Sequence, residues 1–328
     1  LMCCVCVVQM NTNTTESSSQ AVTGNKYGDD ISIPMPWGSI SGKTFGRAEN
    51  IPVLVIHGRC DNLESFRNLI PLLPLNFFYV CIDMPGHGKS SHAQIGYIVE
   101  PLWYVMCARR VIDHFQWRKV HVIGHSMGGY VCLFLTALYP ELVTKMVMLD
   151  TIIYDHTPPS NTAKSLRNEV FEPTFVLEKR SNVDKAPTYS FAEILQKMKD
   201  SRLTEVECSQ IESMVERNLI KVGSDKYKFS FDQRLKTIGP VHFTLGQLDN
   251  VVSEVQCPTL VILGKNSLVT TPHEKLKATP LQRNRNVTLH VVDGDHDVHI
   301  THPERVAQLL VPFLLHPSDD LKKIESKL

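Results

Sequence analysis

The chain has 328 residues, of which 43% are hydrophobic, so it can bury a sizeable core as one large or two modest domains. Its 34 basic and 34 acidic residues leave no net charge, which argues against nucleic acid or anionic membrane as a partner. The nine cysteines have neither disulfide nor zinc spacing, and no apolar run approaches the roughly twenty residues of a membrane span. We therefore predict a protein with reduced cysteines, no bound metal and no membrane-spanning segment.

Residues 1–27 are expected to form a disordered amino-terminal tail. Residues 11–25 within this tail are polar, rich in serine and threonine, and poor in apolar side chains. The folded part of the chain is therefore expected to begin at residue 28, and the two apolar runs at 31–36 and 39–44 predict an opening hairpin.

Short apolar runs recur along the rest of the chain, at 53–56, 78–82, 120–123, 145–149, 260–263 and 287–292. They are continuous, not alternating, and helix-length stretches separate most of them, which is typical of parallel strands buried on both faces. Helices are predicted where apolar residues recur at helical spacing, at 63–72, 100–115, 129–139 and 303–315. The pattern predicts an α/β fold with a mostly parallel, doubly wound sheet.

An interval of about 110 residues separates the predicted strands at 145–149 and 260–263, far more than a connection of a few residues. Its stretches at 191–200 and 204–218 are charged and favour helices, and 226–231 resembles a short strand. We therefore predict a core formed by residues 28–152 and 241–316, interrupted by a helical cap at 153–240. An insertion that leaves from the carboxyl end of a strand is placed to cover a ligand pocket there.

The most informative motif is Gly124-His125-Ser126-Met127-Gly128-Gly129, which follows one predicted strand and begins a helix. This is the context of a nucleophile elbow, in which a sharp turn exposes a serine hydroxyl at the edge of the sheet. The flanking glycines allow the strand and the helix to approach without a clash between Cβ atoms. Ser126 is therefore the candidate nucleophile.

Several other motifs, taken together with this elbow, indicate a family. They are Pro36-Trp37-Gly38, His57-Gly58 with Asp61-Asn62 and Ser65-Phe66, Asp83 with Gly86-His87-Gly88 and Ser90-Ser91-His92, Leu149-Asp150-Thr151, and Asp232-Gln233-Arg234-Leu235. From about residue 31 to 315 the chain resembles the serine hydrolase-like proteins, the kraken-type branch of the α/β-hydrolase superfamily. The resemblance implies an α/β-hydrolase fold and hydrolase chemistry. Arg59 differs from the tryptophan that similar chains often have, and Cys60 replaces a larger apolar residue.

The base that would activate the serine is expected late in the chain, because α/β-hydrolases have the order serine, acid, histidine. His296 follows the last predicted strand within Asp293-Gly294-Asp295-His296 and so lies on a turn at the carboxyl end of that strand. We predict His296 as the base. His299 is the competing candidate, although it lies towards the start of the closing helix.

An oxyanion formed during acyl transfer needs backbone N–H donors that are already in position. One donor is expected from the residue after the nucleophile, Met127, and a second from the loop after the strand at 53–56. The amide just beyond His57-Gly58 belongs to Arg59. We therefore predict that the N–H groups of Met127 and Arg59 form the oxyanion hole.

The acid is the least obvious member of the site. In the resembled superfamily it usually stands three residues after the glycine that closes the strand at 260–263, and here that residue is Ser267. Asp150 closes the earlier strand at 145–149, and some branches of the superfamily take their acid from that position. We predict Asp150 as the acid, with Asp293 and Asp295 as alternatives.

These residues predict a cofactor-free serine hydrolase that cleaves an ester or thioester, with a small molecule of lipophilic character as the expected substrate. The alternative is a catalytically weak protein that keeps the fold and holds a hydrophobic ligand under the cap. Residues 317–328 are expected to form a polar tail ending in Ser326-Lys327-Leu328, a peroxisomal import signal that a receptor recognises. We therefore expect a peroxisomal protein with the import receptor as a partner, or otherwise a cytoplasmic protein.

Overall fold

The computed structural model describes residues 28–151, 162–180, 187–202, 204–237, 243–267 and 280–316. Within these ranges, eight strands form one sheet and two form a separate hairpin. The strands are β1 Asp29–Met35, β2 Gly38–Phe45, β3 Ile51–Ile56, β4 Phe77–Ile82, β5 Val120–His125, β6 Val143–Leu149, β7 Leu219–Gly223, β8 Lys226–Phe229, β9 Thr259–Gly264 and β10 Val287–Val292. Each of the eight strands predicted for the sheet is present, with ends that shift by at most two residues.

The large sheet has the order β1-β2-β4-β3-β5-β6-β9-β10. The antiparallel pairs are β1 with β2 and β2 with β4, and every other neighbouring pair is parallel. In the sheet, β4 lies on one side of β3 and β5 lies on the other. The order of the strands along the chain therefore reverses direction at β3. In such a sheet, ligands bind outside the carboxyl ends of the strands near this reversal.

Helices cover both faces of the sheet, as the doubly wound prediction requires. The longer ones in the described core are α1 Pro101–His114, α2 Met127–Leu138, α7 Leu245–Ser253 and α10 Pro303–Leu315, and the short ones are α8 Pro280–Arg283 and α9 Val298–Thr301. Successive strand residues face opposite sides. Leu54 and Ile56 therefore pack in the core cluster that contains α1 and α2, whereas Val53 and Val55 pack in the cluster that contains α10.

The single helix predicted at 63–72 is wrong. Two short 3-10 helices, Leu63–Phe66 and Ile70–Leu72, occupy this stretch. Pro71 has no backbone N–H to donate and disfavours a helical conformation at the preceding residue, so a continuous α-helix could not run through it. The apolar spacing that suggested a helix instead places Leu63, Phe66 and Leu69 in the core beside the sheet.

The chain between β6 and β9 contains the predicted insertion. Its helices are α3 Thr162–Ser165, which continues through a π-helical turn at Leu166–Phe171 into α4 Glu172–Arg180, then α5 Phe191–Asp200, α6 Cys208–Arg217 and the 3-10 helix Gln233–Thr237. The helix predicted at 204–218 begins later, at Cys208, and β7 and β8 form a hairpin of which only β8 was predicted. The predicted boundaries of this insertion, at 152–153 and 240–241, lie outside the described residues.

The predictions for the two tails, residues 1–27 and 317–328, also concern residues outside the described ranges. Within those ranges, no helix combines the length and the apolar composition that a membrane crossing would require.

Candidate active site

Ser126 occupies the corner between β5 and α2, at the carboxyl edge of the sheet. Its φ of 51° lies in the left-handed region that residues other than glycine rarely adopt. A Cβ atom on Gly124 would come within 2.3 Å of the backbone carbon of Gly128, so this corner can close only because that side chain is missing. The hydroxyl of Thr151 donates a 2.9 Å hydrogen bond to the Ser126 carbonyl and helps to hold the turn.

His296 lies on the turn after β10, between Ser126 and Asp150. Its Nε2 atom is 3.1 Å from the Oγ atom of Ser126, and its Nδ1 atom is 2.6 Å from the Oδ2 atom of Asp150. In the tautomer that satisfies both contacts, the serine hydroxyl donates to Nε2 and the Nδ1–H group donates to the carboxylate. The structure therefore joins three residues that are far apart in the sequence into one chain of hydrogen bonds.

Asp150 is fully buried and receives hydrogen bonds from three sides. Besides the imidazole, its Oδ1 atom accepts a 2.7 Å bond from the backbone N–H of Gly264, and its Oδ2 atom accepts a 2.6 Å bond from the hydroxyl of Ser267. Its own backbone has a φ of 43° and donates to the Ile262 carbonyl. A buried carboxylate needs such donors because burial alone disfavours its charge.

The alternative residues lie elsewhere. Asp293 is exposed, and its Oδ1 atom is 3.3 Å from the Nζ atom of Lys265. Asp295 is half-buried, and among the described contacts neither of these carboxylates bonds to the imidazole of His296. His299 is fully buried on α9, and in the described part of the chain its ring nitrogens bond to no partner. None of the three residues thus joins the hydrogen-bonded chain.

The electrostatic surroundings of His296 differ from those of the two histidines nearest to it. Burial lowers the pKa of His296, but its hydrogen bond to Asp150 and the charges of Asp150, Asp297 and Asp61 raise it more, so the net pKa lies above the ordinary 6.5. Burial has the largest effect on the two neighbouring imidazoles, those of His125 and His299. Their pKa values lie well below 6.5. Of these imidazoles, only that of His296 is adapted to exchange a proton near neutral pH.

The two predicted oxyanion donors lie on loops that meet at Ser126. Met127 is the first residue of α2, so its N–H group is one of the amides that lack a partner within the helix. The loop of Arg59 also reaches the elbow, because a Cβ atom on Gly58 would be 3.4 Å from the Cβ atom of Ser126. Among the described residues, neither amide donates a hydrogen bond to a protein group, which leaves both available to a ligand.

Two buried neutral histidines fix the backbone of this loop. Burial lowers the pKa of His57 to about 4 and that of His87 well below its ordinary value, so both present an unprotonated nitrogen. His87 Nε2 accepts a 3.1 Å bond from the N–H group of Cys60, which has a φ of 63°, and His57 Nε2 accepts from Met84. These hydrogen bonds to His87 and His57 therefore hold the turn that carries Arg59 in a strained backbone conformation.

Several residues around His296 were not predicted from the sequence. The Nε2–H group of His125 donates a 3.0 Å bond to the His296 carbonyl, and Asp297 is buried beside it. Arg202, from the insertion, forms ion pairs with Asp297 and Asp61. A local signal existed only for the first two, because His125 precedes the predicted nucleophile and Asp297 follows the predicted base.

One group in the described part of the chain has the spacing of a metal site. His125, Asp297 and His299 are buried, and each offers a ligand atom within 4.8 Å of the others. However, His125 already donates to a carbonyl, and the second carboxylate oxygen of Asp297 accepts from Arg202. The positively charged guanidinium would repel a metal cation bound to the same carboxylate. We therefore assign no metal ion to this group.

Comparison with known proteins defines the family. A family model described as the alpha/beta hydrolase fold matches residues 51–303 of this chain. The chain belongs to the α/β-hydrolase fold family. Within this family, a serine hydrolase-like protein of Danio rerio is 30% identical over 308 residues, which cover 93% of this chain and 94% of the relative. The chain is therefore also a member of the serine hydrolase-like group, in agreement with the resemblance found in its motifs.

Solved structures show the same α/β-hydrolase fold. A hypothetical protein from Pseudomonas aeruginosa PAO1 superposes with a TM-score of 0.78 at 23% identity, covering 88% of this chain and 99% of the other. The thioesterase domain of the curacin biosynthetic pathway superposes with a TM-score of 0.71 at 17% identity, covering 86% and 99%. At these identities the likeness concerns the fold alone.

Proposed function

We propose that this α/β-hydrolase is a serine hydrolase that cleaves a carboxylic ester or thioester through an acyl-enzyme on Ser126. The observation that carries the proposal is the geometry of His296, whose two ring nitrogens contact the Ser126 hydroxyl at 3.1 Å and the Asp150 carboxylate at 2.6 Å. This arrangement provides a nucleophile, a base and a group that orients the base, as a catalytic triad requires. The names of the serine hydrolase-like relatives support the same reaction class.

In the first half of the proposed reaction, Ser126 Oγ attacks the acyl carbon while His296 Nε2 accepts the hydroxyl proton. The N–H groups of Met127 and Arg59 stabilise the resulting oxyanion, and Asp150 stabilises the imidazolium through its Nδ1–H group. When the intermediate collapses, the bond to the alcohol or thiol breaks, and the imidazolium gives its proton to this leaving group. The acyl group remains bound to the serine as an ester.

In the second half, a water molecule attacks the acyl-enzyme while His296 accepts a proton from it. The second tetrahedral intermediate releases the acid, and the proton returns from the imidazolium to Ser126 Oγ. The sum of the two halves is hydrolysis of one ester or thioester bond, with the enzyme regenerated.

The proposed substrate is lipophilic. Met127 and Tyr130 are half-buried apolar or aromatic residues in the first turn of α2, and the Tyr130 ring packs against Phe134 with centroids 4.5 Å apart. These side chains would favour an acyl chain near the nucleophile. We also propose peroxisomal import through Ser326-Lys327-Leu328, which would place the enzyme among lipid-derived acyl esters and acyl thioesters.

A panel of esters and thioesters with varied acyl lengths tests the proposal. We expect the wild type to hydrolyse at least one of them and Ser126→Ala to lose this turnover, because the variant lacks the attacking oxygen. Ser253→Ala, at an exposed serine at the end of α7, provides the matched control and should be fully active. A folded wild type that hydrolyses no member of the panel, yet binds a hydrophobic ligand, would favour the alternative binding protein.

A further inference from the structure

Arg202 connects the insertion to the candidate active site. It lies just after α5, and its side chain is only 8% exposed. One terminal nitrogen of its guanidinium donates to Asp61 Oδ1 at 2.7 Å, and the other donates to Asp297 Oδ2 at 2.8 Å. A single side chain of the insertion therefore bridges two carboxylates of the core.

These two carboxylates belong to the two loops on which the proposed reaction depends. Asp61 lies two residues after Arg59, in the turn that carries a predicted oxyanion donor, and Asp297 directly follows His296. The N–H group of Asp297 also donates a 3.1 Å bond to the hydroxyl of Thr204, so the insertion contacts this turn twice. We call residues 57–61, which include Arg59 and Asp61, the oxyanion loop. A shift of the insertion would thus move both the oxyanion loop and His296.

The charges explain why the bridge is needed. Burial and the negative charge of Asp297 raise the pKa of Asp61 and the positive charge of Arg202 lowers it, with a net value of about 6. Without the guanidinium, two buried carboxylates would face each other without a counter-charge. The planar fork of arginine can serve both at once, whereas the single ammonium of lysine keeps the charge but not the paired geometry.

We infer that Arg202 is a positioning residue, which fixes the position of the oxyanion loop relative to the His296 turn through its ion pairs with Asp61 and Asp297. This inference rests on the proposed function. It means that the insertion contributes to the reaction as well as contacting the core, because its contacts with the core align the donor loop with the base.

The inference also predicts a change in the acid-base behaviour of His296. Asp150, Asp297 and Asp61 are the negative groups that act on its imidazole, and His125 and His299, both neutral because of burial, are the titratable groups beside it. Removing the guanidinium takes a positive charge away from the Asp297 turn and drives Asp61, whose pKa is already raised, towards its neutral form. The pKa of His296 should then depart from its wild-type value.

The test compares Arg202→Met, Arg202→Lys and the wild type, with Arg217→Lys as the matched control. Arg217 is also a buried arginine of the insertion, and its Nε atom is 2.8 Å from Asp83, which accepts a bond from the N–H group of Leu63 but, among the described contacts, none from the turn of His296. For each protein we would measure kcat, KM, the pH profile of kcat/KM and the NMR titration of His296, which does not require turnover.

We expect Arg202→Met to lower kcat by about 100-fold, the order of loss that a small misplacement of reacting groups causes. It should also change the pKa of His296 and move the acid limb of the pH profile with it. Arg202→Lys should lose part of kcat while keeping the wild-type pKa, and Arg217→Lys should keep that pKa and the acid limb. This set of results would support the positioning role.

If both Arg202 variants keep the wild-type kcat and the wild-type pKa of His296, the inference is overturned. Should Arg202→Met fail to fold, the lysine variant decides the question, because a wild-type kcat in that protein contradicts the need for the bridge. Absence of turnover in the wild type would instead contradict the proposed function, while the titration of His296 still tests the effect of Arg202.

Discussion

The hydroxyl of Ser267 donates a 2.6 Å hydrogen bond to the carboxylate of Asp150. Ser267 stands where the superfamily usually has its acid, so in this chain the usual position supports a carboxylate supplied by the neighbouring strand. Asp150 follows β6, and Ser267 lies in the turn after β9. Because β6 pairs with β9, the carboxyl ends of these two strands bring Asp150 and Ser267 together. In this arrangement the carboxylate of Asp150 lies 2.6 Å from Nδ1 of His296.

This relationship makes Asp150 the carboxylate to test. Asp150→Asn should lower kcat by up to about four powers of ten with little change in KM, because an amide favours the wrong tautomer of the imidazole and cannot stabilise its positive charge. The measurement is steady-state turnover of the best substrate from the ester and thioester panel, with thermal unfolding recorded to show that the variant is folded.

Asp293→Asn and Asp295→Asn are the matched controls for this prediction, since they change the same functional group on the same side of His296. Both should keep near-normal turnover. Normal activity in Asp150→Asn, combined with a large loss in either of these two variants, would assign the acid to the turn after β10.

The activity should depend on pH through His296. The imidazole must be neutral to accept the serine proton, and its pKa lies above the ordinary 6.5, since Asp150, Asp297 and Asp61 together outweigh the effect of burial. We therefore expect kcat/KM to fall as the pH decreases, with the midpoint of this acid limb above 6.5. A midpoint clearly below that value, measured with a substrate that does not titrate, would argue against this ionisation as the controlling step.

The proposed import into peroxisomes should depend on the tripeptide Ser326-Lys327-Leu328. Deletion of Ser326-Lys327-Leu328 should move a fluorescent fusion from peroxisomes to the cytosol, provided that the fluorescent protein is attached at the amino end. Colocalisation with a peroxisomal marker before and after the deletion is the measurement. A punctate pattern that survives the deletion would show that another signal directs this protein.

Much of the fold could be predicted from the sequence because the central strands of its sheet are buried on both faces. Short continuous apolar runs such as 78–82 and 260–263 are typical of buried strands. Their alternation with predicted helices along the chain favours a parallel sheet. The strand β7 could not be found in this way, because Lys221 interrupts its apolar residues and most of the strand is exposed. The helix expected at 63–72 was wrong because apolar spacing was given more weight than Pro71.

The candidate site shows the same division between local and distant information. Ser126 and His296 could be predicted because each has a local context, an elbow between strand and helix or a turn after the last strand. Arg202 had none, since its contacts with Asp61 and Asp297 join residues separated by 141 and 95 positions. Contacts of this kind depend on how the insertion packs on the core, which no short motif records.

Covalent labelling of the active serine tests the central claim most directly. A fluorophosphonate probe reacts only with a serine whose hydroxyl is activated by a base, so the folded wild type should gain one probe adduct that peptide mass spectrometry assigns to Ser126. Ser126→Ala should gain none, and Ser253→Ala should label as the wild type does. Absence of an adduct on folded wild-type protein, or an adduct at another serine, would contradict the proposal that Ser126 is the nucleophile of a serine hydrolase.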